Sequence, residues 1–114
     1  MPRFRAKVTA NQLGVTGGTG TSTANAVTIN ASAGVITTES VTTAAGATYT
    51  MTLTNSHIAA ADIVLATVST TGTGSPVVTE VTAAAGTCVI LVQNVHASAA
   101  FNAVLVIKFV VVKQ

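Results

Sequence analysis

Apolar and polar residues alternate most cleanly in Thr48-Tyr49-Thr50-Met51-Thr52-Leu53-Thr54. Successive side chains of a strand point to opposite faces, so this segment predicts a strand with Tyr49, Met51 and Leu53 toward a core and the threonines toward solvent. Short β-branched runs recur on either side of it, at 26–30, 34–41, 63–69, 77–82, 88–93 and 103–112. They are separated by turn-forming stretches such as Ser32-Ala33-Gly34, Ala44-Ala45-Gly46, Gly72-Thr73-Gly74-Ser75-Pro76 and Ala85-Gly86. Strands and turns at this spacing predict a sandwich or barrel, and no stretch carries a helical period. A further alternation, Arg3-Phe4-Arg5-Ala6-Lys7-Val8, places Phe4, Ala6 and Val8 on one side of an extended segment and three cations on the other.

Two runs depart from alternation. Cys88-Val89-Ile90-Leu91-Val92 and Val104-Leu105-Val106-Ile107 are apolar on both faces, which predicts cover on both faces, most simply by another subunit. From Gly14 to Asn25 the chain is rich in Gly, Thr, Ser and Asn and offers little to bury, so it reads as a loop or linker. The expected organisation is an N-terminal arm and linker over residues 1–25, followed by a β-sandwich domain over 26–114. The fold class expected is all-β, an antiparallel two-sheet sandwich or jelly roll of about eight strands with an extended N-terminal arm. A weak repeat supports two related halves: Ala44-Ala45-Gly46, a strand and Asn55-Ser56-His57 are echoed by Ala84-Ala85-Gly86, a strand and Asn94-Val95-His96.

Composition sharpens this picture. Apolar residues make up 49% of the 114 and charged residues only 7%, against about a quarter in an average soluble protein. A surface of Thr, Ser, Ala and Asn lacks the mixed charge that keeps a lone domain dispersed, so much of it is expected to face other subunits. The cations Arg3, Arg5, Lys7, Lys108 and Lys113 gather at the two ends of the chain, and no block of like charge resembles a nucleic-acid-binding tail. The apolar run from Ala103 to Val112 is broken by Lys108 and falls short of the ~20 residues of a membrane span. Gln12, Gly14, Thr16 and Gly17 stand where the apolar centre of a secretory leader would be, and Cys88 is the single cysteine. No leader, no intrachain disulfide and folding in a cytoplasm are therefore expected.

The residues that could carry chemistry do not assemble into a known pattern. Gly14 to Thr21 is glycine-rich, but no Lys-Ser/Thr pair follows to reach phosphates and Mg²⁺, and Thr23 stands where a dinucleotide fingerprint needs glycine. Glu39, Asp62 and Glu80 are the only carboxylates, lie whole strands apart and read as solvated surface groups. His57 and His96 are fewer than a closed zinc site needs, even if the repeat brings them or their copies to one axis. In their Asn-x-His settings they read as loop elements, each Asn bonding backbone in an Asx-type turn and each His closing the loop. Cys88 reads as a small buried hydrophobe. No catalytic residue, cofactor site or metal site is expected, and the chain is not read as an enzyme. The candidate partner-binding residues are Arg3, Phe4, Arg5 and Lys7, whose cations could meet an acidic groove or a phosphate, or simply keep an edge soluble.

The segments Ala33-Gly34-Val35-Ile36-Thr37-Thr38-Glu39, Thr42-Thr43-Ala44-Ala45-Gly46-Ala47 and Asn94-Val95-His96-Ala97-Ser98-Ala99-Ala100 resemble small virion proteins of tailed bacteriophages. The resemblance covers roughly residues 26–112 and is to capsid decoration or cement subunits. Related β-rich segments also occur in tail structures and fibres. It implies a structural subunit on the capsid surface of a virion, assembled in the host cytoplasm. Such a subunit would form a homo-oligomer, trimer or dimer, and bridge copies of the major capsid protein. The alternative it leaves is a tail, collar or fibre subunit with a host-surface-binding role, using loops such as Gly72 to Pro76.

Overall fold

A computed structural model describes residues 17–114. Eight strands are present: β1 (Gly18–Thr21), β2 (Ala26–Thr28), β3 (Ala33–Thr37), β4 (Thr48–Thr54), β5 (Ile63–Thr70), β6 (Pro76–Ala84), β7 (Thr87–Asn94) and β8 (Leu105–Val112). They form two four-stranded sheets, in the orders β1-β3-β8-β5 and β2-β4-β7-β6, stacked as a sandwich. All seven runs anticipated from residue 26 onward are strands. β4 shows the expected alternation without exception, with Tyr49, Met51 and Leu53 buried and every threonine exposed.

The all-β two-sheet sandwich of about eight strands is as expected, and its sheets are of mixed orientation, antiparallel in most pairs. β1 runs parallel to β3, and β2 parallel to β4, while the remaining pairs are antiparallel. The reason lies in the connections. Only β6 and β7 are joined as a hairpin within one sheet, and every other link carries the chain from one sheet to the other. Each such arch reverses direction and changes layer, so strands two apart in sequence return to the same sheet pointing the same way. Alternation along a strand reports which residues face the core and carries no information on the direction of the neighbour.

Within the stretch expected to be linker, Gly18–Thr21 is a strand. Its glycines make the pairing possible, because a methyl on Gly20 would lie 2.9 Å from Val27 Cγ2 and one on Gly18 2.8 Å from Ile29 Cγ2. The missing side chains let β1 close this side of the sandwich directly over β2 and the residues after it. The link from β1 to β2 turns through Ala24 and Asn25, both left-handed at φ 50° and 55°, with Thr23 and Ala26 exchanging backbone hydrogen bonds across the turn. Such a two-residue turn suits the twist of strands, and Asn tolerates the left-handed region better than Ala.

The core lies between the sheets, with Ile36, Leu105, Ile107 and Phe109 from one facing Met51, Leu53, Ile90 and Val92 from the other. The doubly apolar runs are β7 and β8, each an inner strand of its sheet. Their outward residues Val89, Leu91, Val106 and Val110 are only half-buried, so the described residues give partial cover to the faces that the sequence predicts to be covered. Cys88 is fully buried, and burial pushes its thiol up to about 11, which suits an inert packing residue.

Candidate functional site

A polar cluster gathers on Glu39, just past the end of β3. Ser22 Oγ donates to Glu39 Oε1, Tyr49 Oη donates to Oε2 at 3.0 Å, and the backbone N–H of Asn25 donates to Oε2 at 3.2 Å. The Glu39 N–H donates in turn to Ser22 Oγ at 3.2 Å. One carboxylate thus ties the left-handed turn after β1, the end of β3 and the start of β4. Burial raises its pKa, but the hydrogen bonds from Ser22, its own backbone, Tyr49 and Asn25 outweigh that and hold it below the ordinary value of 4.5. Tyr49 is shifted the other way, since burial and the adjacent carboxylate both favour the protonated phenol.

Beside this cluster lies a shallow cavity of about 270 Å³, bordered by Glu39, Val41, Thr43 and Tyr49. The chemistry available there is limited. A carboxylate held below its ordinary pKa is a weak base, and the buried Ser22 hydroxyl already gives its proton to that carboxylate. The arrangement fastens three segments together. Glu39 is therefore a structural anchor and not the solvated surface group expected from the sequence.

A carboxylate whose folded pKa lies below its unfolded value stabilises the fold fully above the unfolded value, and that stabilisation is lost as pH falls through the folded value. Glu39→Gln is expected to lower stability by about 1 kcal/mol at neutral pH, a modest figure because the group is partly solvated. Urea titrations at pH 7 and pH 3 check it. The gap between wild type and variant should shrink at the lower pH.

The other sequence candidates are dispersed. Asp62 pairs with Lys113 and accepts from the Ala59 N–H at 2.8 Å, and the hydrogen bond from Lys113 is the main cause holding its pKa down. Glu80 is exposed on β6 and accepts only from Thr82 Oγ1, at 3.2 Å, among the described residues. Within the described part of the glycine-rich candidate, residues 17–21, Gly18–Thr21 is an extended strand and not a phosphate-cradling loop. The partner-binding candidates Arg3, Phe4, Arg5 and Lys7 lie outside the described residues.

Both Asn-x-His units form the expected Asx-type bond, but only His96 closes its own loop, the His57 ring facing Ser32 Oγ at 3.5 Å instead. Asn55 Oδ1 accepts the His57 N–H at 2.9 Å, and Asn94 Oδ1 accepts the His96 N–H at 3.1 Å. His96 Nδ1 closes its loop by accepting the N–H groups of Ser98 and Ala99, at 3.0 and 2.9 Å. The two units lie at opposite ends of one strand pair. β4 and β7 run antiparallel, and the Asn that ends β7 or follows β4 meets the glycine before the other strand: Asn55 N–H donates to Gly86 O at 2.9 Å, and Gly46 N–H donates to Asn94 O at 2.7 Å. Both glycines are left-handed, at φ 82° and 77°. This geometry puts His57 and His96 at opposite ends of the strand pair, roughly 20 Å apart at strand rise, so one chain does not bring them to one site. No group of three or more His, Cys, Asp or Glu residues suited to a metal occurs among the described residues.

The sequence gives no direct sign of one surface feature. Ile63, Leu65 and Val112 are 47%, 56% and 40% exposed. Ile63 pairs with Val112 and Leu65 with Val110 across β5 and β8, so these side chains form one apolar corner on the outside of the first sheet. Among the described residues no helix is long and apolar enough to cross a membrane. Comparisons with protein-family models, curated proteins and solved structures found no match to this chain.

Proposed function

We propose that this chain is a structural subunit of a bacteriophage virion, a capsid decoration or cement protein that stabilises the head shell by bridging major capsid proteins. The observation that carries the reading is the apolar corner formed by Ile63, Leu65, Val110 and Val112 on a molecule with almost no surface charge. Fully covering a large aliphatic side chain contributes about 1.5–3 kcal/mol, so covering three that are each about half exposed contributes roughly 2–4 kcal/mol per subunit. Association costs consume much of that in a single contact, and the gain accumulates over many copies on a closed shell. The resemblance of the segments around Gly34, Ala44 and Asn94 to small phage virion proteins supplies the setting.

The test is copy counting. Quantitative mass spectrometry of purified particles should find this chain in numbers comparable to the major capsid protein, and particles lacking it should release their genome at lower temperature or under weaker osmotic shock. A handful of copies per particle, confined to one end, would replace the cement reading with the tail or fibre alternative. Unchanged shell robustness would remove it.

A further inference from the structure

We infer that the free edge of β5 is a self-association surface, on which two copies pair β5 with β5 antiparallel about a two-fold axis at Ala66 and join their first sheets into one eight-stranded sheet. This rests on the assembly reading above and names the surface and its occupant.

The four sheet edges differ. β1 and β2 are short, at four and three residues. β6 starts at Pro76, carries the exposed Glu80 and shifts register between Val78 and Glu80. Short length, proline, charge and bulges are the devices that keep an edge from pairing with another chain. β5 has none of them. Its eight residues, Ile63 to Thr70, include no charge and no proline, and they pair with β8 in unbroken register from Ile63–Val112 to Thr70–Leu105. Among the described residues nothing pairs with its other side.

The two sides of the sandwich also differ in how they close. On the β1/β2 side, Gly18 and Gly20 sit so tightly on Ile29 and Val27 that no methyl fits between. On the β5/β6 side, the core-facing Ala66, Val68, Val78, Val81 and Ala83 remain only half-buried. These core-facing residues keep partial exposure although β5 and β6 approach each other closely, and the exposed Ile63 and Leu65 flank the same edge outside.

A second copy fits this edge better than a charged partner strand. With Ala66 on the axis, the inward row sets Val64 against Val68 of the other copy and Ala66 against Ala66, so each copy adds cover to the other's half-buried Ala66 and Val68. The outward row sets Leu65 against Thr67 and Ile63 against Ser69. No like charges meet, because Ile63 to Thr70 carries none. Lys108 lies one strand in, opposite Thr67, and its counterpart would be three strand spacings away, about 14 Å, beyond the screening length of about 8 Å in physiological salt.

Two measurements on the isolated full-length chain test this. Sedimentation equilibrium should show a dimer for wild type and for Val95→Lys, which alters an exposed valine elsewhere. Leu65→Lys should raise the dissociation constant about tenfold or more while leaving the thermal melt of the subunit in place. Under mild oxidation Ala66→Cys should cross-link to itself, whereas Thr70→Cys should not. A monomeric wild type, or Leu65→Lys as dimeric as Val95→Lys, would overturn the proposal. So would a dimer in which Ala66→Cys fails to cross-link but Phe4→Cys of one copy captures Leu65→Cys of another, which would put the N-terminal segment on this edge. Neither measurement involves a particle, so their failure leaves the shell reading standing, and absence from particles leaves the pairing standing.

Discussion

Asn94→Ala is expected to lower the unfolding free energy by roughly 3–5 kcal/mol, among the larger effects a single substitution produces. The Asn94 side chain is fully buried at the end of β7 and makes four hydrogen bonds to backbone. Its Oδ1 accepts the N–H groups of Ser75 and His96, both at 3.1 Å, and its Nδ2 donates to Thr43 O at 3.2 Å and Ala99 O at 2.8 Å. It joins three connecting segments to a strand end. Alanine would leave the N–H groups of Ser75 and His96 and the Ala99 carbonyl without their partner, while Thr43 O keeps the Phe101 N–H, and each orphaned group costs about 1–3 kcal/mol where water cannot reach it. Partial water entry keeps the expected total below the sum.

Comparison variants make the claim specific. Asn94→Asp keeps both accepted bonds but turns a carboxylate toward two carbonyl oxygens, so at neutral pH it should cost about as much as alanine. It should recover partly in acid, where a protonated carboxyl regains one donor. His96→Ala loses only bonds made at the exposed loop and should cost less than about 1 kcal/mol. Urea midpoints read all three. If Asn94→Ala costs no more than His96→Ala, the buried asparagine is not the anchor of this end of the sandwich.

These asparagines also mark how far the fold can be read from the chain. The bond from Asn94 to the N–H two residues on is local and belongs to the Asn-x-His pattern itself. The bond to Thr43 spans 51 residues and depends on how the sheets stack. Likewise β4 declares its inner face through alternation, whereas the doubly apolar runs, read as covered by another subunit, lie in β7 and β8, the inner strands of their sheets. That β5 lies at an edge is set by the arches between the sheets, which leave no periodic signal. β1 stayed hidden because its packing depends on side chains that are missing, and composition sees such glycines as flexibility. The Glu39 anchor joins residues 10 and 17 positions away, each unremarkable alone. The apolar corner needs the register of β5 on β8, since Ile63 and Val112 are far apart in the chain.

Phe101→Ala should be the second severe substitution, at about 3–5 kcal/mol. Phe101 lies in the link from β7 to β8 and is 1% exposed, although it belongs to no strand. Its N–H donates to Thr43 O at 2.9 Å, and its ring presses on Gly74, where a methyl would come within 2.5 Å of Cδ1. The segments meeting there are built of small residues, among them Gly72, Ala99, Ala100 and Ala103, which have no long side chain to fold into the vacated space. Poor collapse is what moves a large-to-small substitution toward the top of its range. The position of the damage matters as well as its size. Phe101 sits at the end of the sandwich where β5 finishes and β8 begins, whereas Ile63 and Val112 lie at the other end of that strand pair. In conditions where the variant remains folded, its dimer dissociation constant should stay within about twofold of wild type, less than 0.5 kcal/mol, while its urea midpoint falls sharply. A parallel loss of both would mean that the loops around Phe101, and not the edge of β5, hold the copies together.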